Sequence, residues 1–374
     1  MSKKRKKRNA QNRKRKQQLS KHPSLATENT KSVFEAPNRD MQNSRDKNTF
    51  IEKEEEEDYV ESFQPTTIKT AGATASGSSH KAKKMDCQDR LKWKIQRVDG
   101  TEILVAALAD GAGTSSKADV GAQLAVDAFV DFVFETVEKK AYIDFVFERL
   151  GSNISLKNLL MDRRFIKKAF GNCRSNLVNK AQQEESDLEE YSTTLIGLIL
   201  VKDENGSSSI NIAGIGDSVS ILVSNMGFLP AAETKDFQAC FVPVSRIEYT
   251  KARTIRTEQL IEITKGEYAN ETVFLTSPNW EDFFSSKSSD SVCGVVLASD
   301  GLNYIYFKQV QTGLETSHDS KFRWQVIPDE NMIARLLNAL AEGKLTDSVV
   351  SELLENNALS EINADDKSLL VVLA

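Results

Sequence analysis

The stretch that most limits the folds open to this chain is Thr101–Gly113, TEILVAALADGAG. Its apolar run, Ile103 to Ala109, has no polar interruption and stops at Asp110. Such a run reads as a buried strand. Gly111-Ala112-Gly113 follows, a turn that small residues alone make tightly. A carboxylate at the mouth of a buried apolar strand is costly unless a cation meets it. Two readings of Asp110 are open at this point: it ligates a metal ion, or it caps the helix that follows the loop.

The same design recurs along the chain. Leu91–Val98 alternates apolar and polar residues, and Asp99-Gly100 is a strong hairpin signal. The return strand is Ile103–Ala109, so the hairpin carries Gln88-Asp89 toward Asp110. Helical spacing predicts helices over Ala118–Lys139, Ala141–Leu150 and Leu156–Gln182. Strands are expected at Thr193–Val201, Ser209–Gly214 and Val219–Val223, the last two flanking Ile215-Gly216-Asp217-Ser218. Two more are expected at Phe274–Thr276 and Cys293–Ala298, the second running straight into Ser299-Asp300-Gly301. Helices are predicted over Asn331–Glu342 and Thr346–Asn357. Ala364-Asp365-Asp366-Lys367 then opens a final buried strand, SLLVVLA. Strands, helices, strands, helices and a strand in that order give an α+β class with mostly antiparallel sheets, not an alternating βαβ fold.

Asp110, Asp300 and Asp365/Asp366 thus each sit at the end of a strongly apolar strand, with Asp89 and Asp217 at further strand boundaries. Singly, each is an ordinary turn or cap residue. Jointly they form a hard-oxygen set with His80 the one histidine nearby, which suits Mg²⁺ or Mn²⁺ better than Zn²⁺. No GxxxxGK[ST], GxSxG or HExxH pattern occurs, which removes a phosphate-binding loop, a serine-hydrolase elbow and a zincin helix.

Composition bears mainly on the N-terminus. The net charge of −5 over 374 residues hides an asymmetry. Residues 1–21 hold eleven Lys and Arg and no acid, leaving about −16 on the remainder. Residues 1–70 run from this basic block through polar sequence to Glu54-Glu55-Glu56-Glu57-Asp58 and cannot build a core, so they are expected to be a disordered tail, with the folded domain over 71–374. The tail reads as a phosphate-driven anchor for nucleic acid or another polyanion, or as a solvated arm. It lacks a following apolar segment, so it is not expected to be a secretory signal, and no run of 18 apolar residues is present. The four cysteines, Cys87, Cys173, Cys240 and Cys293, form no CxxC pair and suit a reducing compartment. A cytoplasmic location is expected, nuclear if the host is eukaryotic.

Six short motifs in order carry a resemblance over residues 75–374, with about 225–290 poorly matched. They are Gly77-Ser78-Ser79-His80 with Cys87-Gln88-Asp89; Ala109-Asp110-Gly111-Ala112-Gly113 with Asp119 and Gly121; Ser192-Thr193-Thr194-Leu195; Gly216-Asp217-Ser218; Ser299-Asp300-Gly301; and Asp365-Asp366-Lys367-Ser368. The chain resembles the metal-dependent protein phosphatases of the type 2C class, in their bacterial-style branch. That resemblance implies two antiparallel sheets packed face to face with helices on both sides, a four-layer αββα sandwich. It implies a monomeric serine/threonine phosphoprotein phosphatase with two Mn²⁺ or Mg²⁺ ions and a looser third, in which a metal-bridged water attacks phosphorus. Asp110 would bridge both ions, the Gly111 carbonyl would ligate one, and Asp300 and Asp365 would hold the other. Asp89 would act through water, and Asp217 with Asp300 would serve the third ion. Catalysis would rest on Asp110 and Asp300.

Three positions depart from the family pattern. Ala112 stands where many members have His, Gln88 where many have Glu, and Lys84 where a phosphate-binding Arg is usual. Lys84 and His80 are therefore the phosphate-binding candidates, Lys84 as a point charge and not a bidentate fork. Between the adjacent acids, the family pattern favours Asp365 as the ligand. Asp366 would then replace an Asn, and Asp366→Asn is expected to be tolerated. The rival reading is a non-catalytic phosphatase-like binding module tethered to a polyanion by its basic tail. Deleting residues 1–21 is expected to leave turnover of small phosphorylated substrates unchanged and to weaken polyanion binding in a salt-dependent way. Equal binding of DNA, RNA and anionic lipid with and without the tail would reduce it to a solvated arm.

Overall fold

Period-2 alternation in fully apolar strands requires cover on both faces, and this decides the architecture. The computed structural model describes residues 67–147, 155–225, 255–264, 272–312 and 323–374, all within the unit Asp58–Ala374. The basic block and the rest of residues 1–66 lie outside the described residues, as does most of 225–290. The described strands are β1 (Lys69–Ala75), β2 (Asp89–Val98), β3 (Thr101–Asp110), β4 (Leu195–Lys202), β5 (Ser208–Ile215), β6 (Val219–Asn225), β7 (Arg256–Gln259), β8 (Ser285–Asp290), β9 (Gly294–Ala298), β10 (Phe307–Thr312), β11 (Arg323–Pro328) and β12 (Lys367–Leu373). The helices are α1 (Ser78–Lys83), α2 (Ala118–Phe147), α3 (Leu156–Met161), α4 (Arg163–Gln183), α5 (Glu330–Ala341), α6 (Asp347–Leu354) and α7 (Asn357–Ile362).

Two antiparallel five-stranded sheets form, in the orders β2-β3-β4-β5-β8 and β1-β12-β9-β6-β7, with β10-β11 as a separate hairpin. Leu104, Ala106 and Leu108 of β3 pack with Leu297 of β9 and Leu370 and Val372 of β12, which makes the layer between the sheets. The alternate residues Ile103, Val105, Ala107 and Ala109 face Phe129 of α2 and Phe170 of α4. On the outer face of the second sheet, Val296, Leu369 and Val371 meet Leu337 of α5 and Leu354 of α6. The result is helix, sheet, sheet, helix: an α+β fold and the four-layer arrangement expected. Among the described residues, no helix is long and apolar enough to cross a membrane.

Some boundaries differ from expectation, each for a local reason. Ala118–Lys139 and Ala141–Leu150 were expected as two helices; α2 runs unbroken to Phe147, because Lys139-Lys140-Ala141-Tyr142 contains no breaker. Residues 148–150 lie outside the described residues. The helix expected over Leu156–Gln182 is two. Asp162, extended at φ −72° and ψ 124°, ends α3 and caps α4 by accepting the Arg164 N–H at 2.8 Å. Phe274–Thr276 is a turn and not a strand, with the Leu275 N–H donated to the Thr193 carbonyl at 2.9 Å. The strand that pairs beside β5 is the polar β8 instead.

Gly197 in β4 lets α2 approach its sheet: a Cβ there would come within 2.3 Å of the Phe129 ring edge. Gly197→Ala is expected to lower stability by about 1–3 kcal/mol through overpacking. Urea denaturation followed by circular dichroism measures this, and wild-type stability in the variant would mean that Phe129 yields at no cost.

Candidate metal centre

Strand pairing collects the acids. Asp89 opens β2 directly opposite Asp110, which closes β3. Ala298, the last residue of β9, pairs with Val219 of β6 and with Leu369 of β12. Hence Asp217 before β6, Asp300 after β9 and Asp365 before β12 emerge at one end of the sandwich. They meet in a cavity of ≈ 250 Å³ lined by Asp110, Asp217, Asp300, Asp365, Asp366 and His80 among others. One carboxylate oxygen each from Asp110, Asp217 and Asp300 lies within 4.8 Å of the others.

Asp110 and Asp217 are both held through their backbones, and Asp217 through its carboxylate as well. The Asp110 N–H donates to Thr194 Oγ1 at 2.9 Å, and its carbonyl accepts from the Thr194 N–H at 2.8 Å and Thr193 Oγ1 at 3.0 Å. The Gly111 N–H donates to the Gln88 carbonyl at 3.1 Å. The Asp217 carbonyl accepts from Gln309 Nε2 at 2.8 Å, while its Oδ2 accepts from Thr272 Oγ1 at 2.9 Å. Asp300 opens a short 3₁₀ turn, Asp300–Leu302, directly after β9. Thr193 and Thr194 left a signal in the sequence, a hydroxyl pair ahead of an apolar run. Thr272 and Gln309 left none.

The electrostatics ask for a cation. Burial drives the Asp89 carboxyl up to about 8, against a hydrogen bond from Ser299, and the charges of Asp366, Asp300 and Asp365 add to the rise. Burial first, then the charges of Asp89, Asp300, Asp217 and Asp365, holds Asp110 well above the ordinary carboxylate range. Asp89 Oδ2 and Gln88 Oε1 are buried without a hydrogen-bond partner. Crowded carboxylates with orphaned acceptors beside them are stable as anions only around bound cations, and all-oxygen donors fit Mn²⁺ or Mg²⁺.

The two adjacent C-terminal acids diverge. Asp365 is exposed and lines the cavity; its Oδ1 accepts the Asp366 N–H at 2.9 Å. Asp366 is buried, with Oδ1 accepting from the Gly77 N–H at 2.7 Å and Oδ2 from the Gln88 N–H at 2.6 Å. His80 Nδ1 lies 2.7 Å from the same Oδ2. Lys84 caps α1 in the left-handed region at φ 56°, is exposed and lies outside the cavity lining. Lys367, buried by its neighbours, donates from Nζ to the Asp365 carbonyl at 2.7 Å.

An antiparallel double sheet with helices on both faces and an acidic cavity at one end defines an αββα sandwich whose clustered carboxylates could hold a metal ion. A family profile described as "Protein phosphatase 2C" matches residues 76–342, and the chain belongs to that family. Among solved structures, a bacterial serine phosphatase carrying one substitution is 12% identical, with 82% of this chain and 98% of that chain covered and a TM-score of 0.45. A serine/threonine phosphatase of Staphylococcus aureus is 15% identical, covering 83% and 96%, with a TM-score of 0.42. One of S. agalactiae is 11% identical, covering 82% and 100%, also at 0.42. Compared with curated proteins, the chain has no significant match.

The expectation that Asp366→Asn is harmless does not survive the three donors around that carboxylate. An Asn oxygen can serve one side, and its NH₂ would then face an N–H on the other. Asp366→Asn is expected to cost about 1–3 kcal/mol of stability, measured by chemical denaturation. An unchanged midpoint would mean that the loop carrying Gly77 and Gln88 re-pairs freely.

Proposed function

We propose that this chain is a Mn²⁺- or Mg²⁺-dependent phosphatase acting on phosphoserine and phosphothreonine in proteins. The observation that carries the reading is the close carboxylate triad of Asp110, Asp217 and Asp300 beside the orphaned Oδ2 of buried Asp89. Asp110, the Gly111 carbonyl, Asp300 and Asp365 would hold two ions, with Asp217 and Asp300 serving a looser third. Asp89 and Gln88 would take up water around them. When bound, the ions supply an acidified water and neutralise charge on the phosphoryl oxygens.

The chain's own residues do the rest. Thr193 and Thr194 clamp the backbone of Asp110, so its carboxylate is fixed before substrate arrives, the preorganisation that electrostatic catalysis requires. The open cavity admits a phosphate ester on a protein chain. His80 is the basic side chain there to meet it. The cavity lining offers carboxylates, His80 and threonine hydroxyls but neither serine nor cysteine among the described residues, and with the carboxylates given to cations, water is the nucleophile in this reading. Full retention of the acids favours an enzyme over a phosphatase-like binding module, which would have no use for so costly a cluster. A phosphoprotein is thus the proposed partner, and a polyanion the proposed partner of residues 1–21.

The purified chain is expected to hydrolyse phosphoserine or phosphothreonine peptides with Mn²⁺ or Mg²⁺ and to stop with EDTA. Asp110→Asn should remove nearly all activity. Asp365→Ala should raise the Mn²⁺ concentration needed by well over tenfold, the range of a damaged metal shell. Full activity in EDTA would sink the metal-dependent reading, and no activity with any metal would leave the binding module.

A further inference from the structure

Among the described residues that line the cavity, His80 alone has a basic side chain. It is also buried. Its side chain is 8% exposed, and Nδ1 sits 2.7 Å from Oδ2 of Asp366, itself 3% exposed. That carboxylate also accepts from the backbone N–H groups of Gly77 and Gln88, the two ends of the segment that carries α1. An ionised carboxylate only accepts, so its bond with Asp366 puts a proton on Nδ1 and leaves Nε2 for the cavity. The ring's orientation is tied to the entrance of β12, since Asp366 directly precedes that strand. A buried histidine steered by a buried carboxylate into an acidic cavity is an arrangement for moving a proton, more than for gripping a phosphate.

The reaction needs such a group. A serine or threonine ester expels an alkoxide, a poor leaving group unless it is protonated as it departs, and a positioned acid is worth roughly 10²–10⁴ in rate. The carboxylates in the cavity are committed to cations in the reading above. We propose that His80 is the general acid that protonates the departing serine or threonine oxygen, with Asp366 as its positioning residue; this rests on the phosphatase reading. In the step, a water oxygen forms the new bond to phosphorus while the bond from phosphorus to the serine oxygen breaks. That bond's electron pair goes to the serine oxygen, which takes the Nε2 proton of the His80 imidazolium while Nδ1 keeps its own proton toward Asp366. The water's surplus proton leaves on inorganic phosphate or to solvent, and the neutral imidazole regains a proton from solvent before the next turnover.

The test uses the full chain with Mn²⁺ on a phosphoserine peptide, on p-nitrophenyl phosphate and on a series of phosphate monoesters of graded leaving-group pKa. The wild type is expected to show a shallow dependence of kcat/KM on leaving-group pKa. His80→Asn keeps an amide N–H where Nδ1 donates to Asp366 and removes Nε2. His80→Gln offers an N–H near Nε2 that cannot be given up. In both, the ratio of peptide to p-nitrophenyl phosphate turnover should fall by about 10²-fold or more, and the leaving-group dependence should steepen. Mn²⁺ affinity by calorimetry should hold. Equal losses on both substrates, or no loss, overturn the proposal. If neither variant folds, a steep dependence in the wild type overturns it and a shallow one supports it. A wild type inactive on every ester removes the phosphatase reading itself, and the general acid with it.

Discussion

Mutual repulsion among carboxylates at one end of the sandwich is the constraint on which the rest of this structure depends. Asp89 and Asp110 face each other across the β2–β3 ladder, where like charges directly opposite are unfavourable. Asp300, Asp217 and Asp365 add to the field. A loop-built site would relieve the strain by moving apart. Here Asp110, Asp217, Asp300 and Asp365 each adjoin a strand buried on both faces, so they cannot retreat without pulling apolar residues out of the core. The sign of the linkage follows. A carboxyl raised in the folded state withdraws stability as pH climbs from its unfolded value toward its folded one. For Asp89 that window runs from 3.8 to about 8. A bound cation removes the penalty by giving the ionised form a partner, so metal binding and folding favour the same arrangement.

Legibility in the sequence tracked burial. β3, β4, β9 and β12 are covered on both faces, so their apolar runs announced them. β1 (KTAGATA) and β8 (SSKSSD) carry no such run, because an edge strand with one neighbour needs backbone pairing more than apolar side chains. The turn at 274–276 imitated a strand because Phe274 and Leu275 are apolar for a different reason: Leu275 packs under β4 with Trp280 and Phe284. The split at Asp162 was written as an Asp before a helical run, but the surrounding helical spacing masked it.

The site divides the same way. Acids at the ends of apolar strands are visible in one dimension, since strand and carboxylate are adjacent in the chain. Their grouping is not. Asp110, Asp217 and Asp300 share the closest cluster although long stretches of sequence separate them, and Thr272 and Gln309 reach Asp217 from 55 and 92 residues away. No local pattern marks a side chain whose role is to support an acid so distant in the chain.

The end of the chain shows how little geometry separates the proposed ligand Asp365 from the brace Asp366. Asp365 and Asp366 are chemically identical neighbours, but successive side chains entering a strand point to opposite sides. Both border the cavity, but Asp365 is exposed there while Asp366 is buried and bonded to the segment that carries α1. Gly301 fixes which is which: a Cβ there would overlap the Asp366 carbonyl oxygen, so the loop after Asp300 can lie against the start of β12 only with glycine at that place. The Ser299 N–H donates to the Ser368 carbonyl at 3.0 Å, and the Ser368 N–H returns to Ser299 Oγ at 2.9 Å. These bonds lock the two strand ends in register. The Asp-Gly after β9 and the Asp-Asp before β12 are therefore one device: the glycine sets the approach, the approach sets the register, and the register sends Asp365 toward Asp300 and Asp366 toward His80.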